Sequence, residues 1–130
     1  MSDQKWSPKG ALLKIADMME YAEPIIIKFP RPERGYSGMT TKIRTEMQDM
    51  AERAMDAQKS YYAKSALKEL AGLDRAIEHL RFYLRHAYRR KLLTFHQYGV
   101  MSDRLDEIGS MTGGWIKAVM EADKNNGKKK

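Results

Sequence analysis

The feature that most constrains the fold is an apolar repeat between residues 66 and 87. Apolar side chains recur there at alternating intervals of four and three residues, the pattern of a helix that packs lengthwise against other helices. The repeat consists of Ala66, Leu70, Leu73, Ile77, Leu80, Leu84 and Ala87. It predicts one long amphipathic helix that belongs to a bundle.

A first helix is predicted upstream of this repeat. Ser7 followed by Pro8 is typical of a helix start, a capping residue with proline at the first helical position. Pro24 lies inside the pattern, where it removes a backbone hydrogen bond, and Pro30 and Pro32 end it. We expect a loop from about residue 30 to 37. The apolar positions of this helix are Leu12, Ile15, Ala16, Met19 and Ala22.

Two more helices follow from the same reasoning. One begins near Ser37 and ends in the stretch QKSYY. The other begins at a capping box formed by Thr94 and Gln97, three residues apart. Their apolar seams are Met39, Ile43, Met47, Met50 and Ala54 in the former and Tyr98, Met101, Leu105, Ile108, Thr112, Trp115 and Val119 in the latter.

Short connections between four helices force neighbours to run antiparallel. The sequence therefore predicts an all-α, up-down-up-down antiparallel four-helix bundle over residues 1–122. A chain of 130 residues suits one such domain. The last eight residues, 123–130, are polar and basic, and we expect a disordered tail there.

Several classes of protein are disfavoured by what the sequence lacks. It contains no cysteine and no apolar run long enough to cross a membrane, so we expect a cytoplasmic protein without a membrane partner. His79, His86 and His96 do not have the spacing that places two imidazoles on one metal ion. No nucleophile with a base and no inward-facing carboxylate pair is evident. We predict no catalytic residue, no metal and no cofactor.

Positive charge is concentrated in three segments of a chain whose net charge is +7. Residues 75–91 carry a net +5, residues 28–44 carry +4, and residues 123–130 carry +3. Concentrated positive charge is typical of a protein that binds a polyanion such as nucleic acid, although a solvated basic face has the same composition.

An arginine ladder stands out within the first of these segments. Arg81, Arg85 and Arg89 lie about one helical turn apart, stepping from the shoulder of the apolar seam to the opposite face. Such a series can follow a phosphate backbone, because each guanidinium offers a planar fork to phosphate oxygens. The alternative is that these arginines are solvated or pair with acidic groups of a neighbouring subunit.

Three residues suggest contact with another chain. Phe82 falls on the outer face of its helix, where it could stack on a base but is more readily buried against a second subunit. Gly109 and Gly113 lie four residues apart beside an apolar seam, and helical glycines at such positions indicate that another backbone approaches closely. That backbone could belong to the same bundle or to another subunit.

These segments together resemble the accessory variability determinant proteins of diversity-generating retroelements. The resemblance covers most of residues 12–118 and rests on KFPRPERGYSG, LRFYLR and GGWIK. The FP-x-x-ER loop and the DEIG helix are shared with a wider superfamily of four-helix proteins encoded in ribosomal RNA intervening sequences. Those relatives read like SIP-x-NIAEG in the second helix, where this chain has KIRTEMQDMAERA, which favours the retroelement branch.

The resemblance implies a non-catalytic homopentameric barrel that binds a reverse transcriptase and its template-repeat RNA, or possibly DNA, in support of mutagenic cDNA synthesis and retrohoming. Matched onto this sequence, the nucleic-acid contacts fall first on one basic segment, namely on Arg81 and Arg85 with Arg89, Arg90 and Lys91 beyond them. The loop residues Arg31 and Arg34 come second. Two other interpretations stay open: an intervening-sequence-type protein of unknown role, and a purely structural self-assembling protein.

Overall fold

The chain folds into four packed helices in a computed structural model that describes residues 10–128. Helix α1 spans Ala11–Ile26, α2 spans Met39–Lys59, α3 spans Ala63–Arg89 and α4 spans Phe95–Lys128, and a short 3-10 helix, η1, spans Arg31–Arg34 between α1 and α2. Over residues 10–128 there is no strand. The prediction of an all-α four-helix protein is confirmed.

Each helix packs against two neighbours, in the cyclic order α1, α2, α3, α4. Cross-helix contacts give the directions. Glu23 near the end of α1 meets Arg44 near the start of α2. Between α2 and α3 the contacts are Glu46–His79 and Arg53–Glu69, and between α3 and α4 they are Arg81–Asp106 and Tyr88–Tyr98, so that the residue number rises along one helix as it falls along the next. Successive helices therefore run antiparallel, as their short connections require.

At least one ion pair between a lysine or arginine and a carboxylate crosses each of the four borders between helices. All of these side chains are partly exposed, so each pair contributes little stability, about 0 to 1 kcal/mol. These pairs instead fix how the helices are oriented, because rotating or shifting one helix would separate the paired charges or bring like charges together. The pairs are Glu23–Arg44, Arg53–Glu69, Arg81–Asp106 and Lys14–Glu107.

The core is formed by the predicted seams of α2, α3 and α4, whose members are buried except for the half-buried Tyr98. Trp115 is the largest fully buried side chain. In α1 the buried stripe is rotated from the predicted one, because Ala11, Met18 and Ile26 are buried whereas Leu12 and Met19 are only half-buried.

The predicted helix ends agree with the structure at most places. Thr94 and Gln97 form the predicted capping box, with each side chain bonded to the other residue's backbone N–H at 3.0 Å. Pro24 lies within α1, which continues to Ile26. The proposed start at Ser7 and Pro8 lies outside the described residues.

Helix α4 extends into the segment for which we expect a disordered tail, and the disorder itself stays a prediction. Helix α4 continues to Lys128, six residues beyond the predicted end of the folded domain at residue 122. Extending an existing helix costs far less than nucleating one, and residues 121–124 contain good helix formers with no proline to stop them. Residues 129 and 130 lie outside the described part of the chain.

Candidate nucleic-acid interface

The C-terminal end of α3 displays a run of basic side chains. Arg85, Arg89, Arg90 and Lys91 are all exposed. The helix ends in a Schellman motif: Leu92 N–H donates to the Ala87 carbonyl at 2.9 Å, and Lys91 N–H donates to the Tyr88 carbonyl at 2.9 Å. This closure places Lys91 in the left-handed region, with φ of 65°, where glycine is the usual residue.

Glu33 joins the loop after α1 to this same end. One of its carboxylate oxygens accepts from Arg90 Nη2 at 2.6 Å, and the other accepts from the Met39 backbone N–H at 3.1 Å, at the start of α2. The hydrogen bond from Arg90 is the main reason that the pKa of Glu33 is lowered, followed by the one from Met39. Glu33 therefore fixes η1 beside the end of α3.

The contact brings together two basic segments that are far apart in the sequence. Arg31 and Arg34, both exposed, flank Glu33 within η1. Lys28 joins them, because it lines one cleft together with Lys91. We call this surface the basic end of the bundle, comprising Lys28, Arg31, Arg34, Arg89, Arg90 and Lys91.

Lys28 is a residue that the sequence reasoning did not select. Its position two residues before Pro30 was the available signal, since a residue so close to a proline-rich loop shares the location of that loop. Two exposed aromatic side chains were also missed: Tyr36, 98% exposed just after η1, and Phe95, 75% exposed at the start of α4. Exposed aromatic rings beside basic groups are suited to stacking on bases.

Arg81 has a different environment from the rest of the arginine ladder. Its guanidinium bonds to Asp106 of α4 and lies 3.4 Å from Glu78 one turn earlier in α3. The hydrogen bond to Asp106 is the main cause that raises the pKa of Arg81. A phosphate at Arg81 would have to compete with these carboxylates. The predicted phosphate contact at this residue stays a prediction, and so does that of Arg85, which lies exposed one turn further on.

The three predicted interface residues lie in different surroundings. Phe82 is 58% exposed and stacks on His86, with 6.2 Å between ring centroids. Gly109 gives room to Arg81, because an added Cβ would come within 2.9 Å of Arg81 Nη2, so the close neighbour at this glycine is a side chain of the same bundle. Gly113 is exposed, and a Cβ there would meet nothing within 4 Å. A subunit contact at Phe82, Gly109 or Gly113 stays a prediction.

Residues 10–128 also bear on two other kinds of site, metal centres and membrane spans. No group of three or more potential metal-ligating side chains occurs in this part of the chain. None of the helices there combines the length and the apolar character that a membrane span requires.

Comparison with known proteins gives one match. A model of the bAvd-like family matches residues 11–119, which extends from the first residue of α1 well into α4. Searches of curated proteins and of solved structures find no match. The matched region includes α1, α2 and α3, η1, the whole basic end and α4 as far as residue 119, and the chain therefore belongs to the bAvd-like family.

Proposed function

We propose that this protein is the accessory protein of a diversity-generating retroelement, which binds the retroelement's reverse transcriptase and its template-repeat RNA and thereby supports mutagenic cDNA synthesis and retrohoming. It does so without catalysis, in the cytoplasm, as a homo-oligomer that we expect to be a pentamer. Membership of the bAvd-like family supports the accessory role.

The observation that carries the RNA-binding part is the Glu33–Arg90 contact. It joins η1 to the end of α3, so that the basic side chains of the two segments lie at one end of the bundle, where the carboxylate of Glu33 is already paired with Arg90. A phosphate backbone is attracted to such a surface and makes sequence-independent contacts with it. DNA would be attracted by the same charge.

The first experiment measures RNA affinity against salt concentration for a matched pair of variants. The double variant Arg31→Ala with Arg34→Ala removes two charges at the basic end. Its control, Lys64→Ala with Lys68→Ala, removes two exposed charges near the start of α3, and Lys64 lies on the order of 40 Å along the helix from Lys91.

We expect the arginine variant to lower the salt slope for single-stranded RNA by about 1.4, since each lost phosphate contact is worth about 0.7. The lysine control should leave the slope unchanged. Equal effects of both variants, or no effect of either, would contradict the assignment of RNA binding to the basic end.

A second experiment addresses the partner. Wild-type protein should co-purify with a reverse transcriptase encoded beside its gene, together with the template-repeat RNA. A gene neighbourhood without a reverse transcriptase would favour an intervening-sequence-type protein instead. Assembly without salt-sensitive RNA binding would favour a purely structural role.

A further inference from the structure

A cleft of about 310 Å³ opens between the end of α1 and the turn that joins α3 to α4. Its volume is at the lower end of the range for small-molecule sites, and its lining is mainly apolar with a few polar groups, as such sites usually are. The lining residues are Pro24, Ile25, Lys28, Phe29, Pro30, Lys91, Leu92 and Gln97.

Two departures from regular backbone structure border this cleft. Pro24 sits inside α1, where it lacks the N–H that a helix needs. Lys91 holds a positive φ of 65° at the position where a Schellman motif normally has glycine. A left-handed conformation is strained for a residue with a Cβ, whereas glycine adopts it freely. What lysine adds here, and glycine cannot supply, is an ammonium group at the cleft.

The lining has the two kinds of group that a nucleotide requires. The half-buried Ile25 and Leu92 provide an apolar surface for a base, to which Phe29, 4% exposed, adds little, and Lys28 and Lys91 provide positive charge for its phosphate. The rest of the basic end extends outward from the cleft through Arg90 and η1. In a duplex the bases are stacked and paired, so only an unpaired nucleotide could place its base in the cleft.

We propose that this cleft binds one unpaired nucleotide of single-stranded RNA, with the base on the apolar lining and the phosphate beside Lys28 and Lys91. The inference rests on the proposed RNA-binding function and deepens it. It would allow the protein to distinguish single-stranded from duplex RNA, because duplex RNA would contact the basic end through phosphates alone.

The test compares two probes of equal charge that differ in their bases. One is fluorescein-labelled decauridylate, and the other is a ten-unit ribose phosphate chain without bases. Base stacking on a protein surface is worth about 1 to 3 kcal/mol per base, so wild-type protein should bind decauridylate about tenfold more tightly.

Lys91→Gly and Lys28→Gln should each remove most of this preference, because only a base seated on the apolar lining holds a phosphate beside these two lysines. Lys91→Gly should also raise the melting temperature by about 3 °C, because it relieves the strained turn. If Lys91→Gly is more stable than wild type but binds decauridylate more weakly, the weaker binding cannot be explained by a folding defect. Arg34→Ala is the control for the loss of one charge, and it should weaken both probes by the same factor.

Three outcomes would overturn the inference while leaving RNA binding intact. The first is equal affinity of wild-type protein for the two probes. The second is a base preference that both cleft variants retain. The third is that the cleft variants lose capture of the reverse transcriptase while their RNA affinity is unchanged. That result would indicate that the cleft binds a segment of the reverse transcriptase. Failure of wild-type protein to bind either probe would instead contradict RNA binding itself.

Discussion

Gly109 and Gly113 offer a direct test of how the surface of α4 is used, because alanine at the two positions should have different effects. Alanine is more favourable than glycine in a helix interior by about 1 kcal/mol. At Gly113 an added Cβ meets no atom within 4 Å, so the full gain of about 1 kcal/mol in the free energy of unfolding is expected.

At Gly109 the same gain is opposed by the loss of a contact. The new Cβ would lie 2.9 Å from Arg81 Nη2 and would displace the guanidinium from Asp106 and Glu78. Two partly exposed ion pairs are worth roughly 0.2 to 1 kcal/mol each. We therefore expect Gly109→Ala to leave the free energy of unfolding near its wild-type value, about 1 kcal/mol below that of Gly113→Ala.

Urea denaturation followed by circular dichroism measures both values, and a double-mutant cycle isolates the cause. In an Arg81→Ala background, Gly109→Ala should recover the full gain of about 1 kcal/mol, since there is no longer a side chain to displace. Equal stabilisation by Gly109→Ala and Gly113→Ala in the wild-type background would refute the assigned role of Arg81. A loss of stability in Gly113→Ala would show that the space beside Gly113 is occupied, and would indicate that another chain packs there.

Three further predictions concern the oligomer, the basic end and the start of α4. Phe82→Asp should reduce the mass measured by light scattering to that of a monomer while helical content persists, because it would place an unpaired carboxylate in an apolar subunit contact; an unchanged mass would count against that contact. Glu33 has a lowered pKa in the folded state, so its stabilising effect should be complete above its ordinary pKa of 4.5 and be lost as the pH falls through the lowered value. The urea midpoints of wild type and Glu33→Gln should therefore differ at pH 7 and converge in acid, once Glu33 is protonated in the folded state too, and a constant difference would contradict the assignment. Thr94→Ala removes the acceptor for the Gln97 N–H and should lower the free energy of unfolding by about 1 kcal/mol, whereas an unaffected urea midpoint would show that the cap is dispensable.

The helices were predictable from the sequence because their signals are local. The seam of α3 repeats over six intervals, so the period of the helix and the buried face follow without knowledge of the partners. The capping box before α4 spans only four residues. Helix α1 was harder: its stripe contains small side chains and its moderate amphipathicity leaves two neighbouring faces with similar apolar content.

The basic end was only half predictable. Both of its segments are visible as charge in the sequence, but their meeting depends on Glu33 and Arg90, which are 57 residues apart. Arg81 shows the same dependence on residues far apart in the sequence, but here the distant residue pairs with a charge that the sequence had suggested was free. Its partner Asp106 is 25 residues away on another helix, and helical periodicity alone cannot show that the two face each other.

The basic side chains of this chain fall into two groups, those that face a carboxylate and those that do not. Along the body of the bundle, Arg44, Arg53 and Arg81 each meet a carboxylate across a helix border, and their pairing fixes the orientation of the helices. At the basic end cations outnumber carboxylates, because Glu33 bonds to Arg90 alone and the other five basic side chains have no carboxylate partner among the ion pairs of the described residues. Since ion pairs in the body cancel much of their own charge, the unpaired cations of the basic end contribute more to the field that a distant polyanion experiences than the paired arginines of the body do. An RNA should therefore approach the bundle at this end even though arginines occur along its whole length.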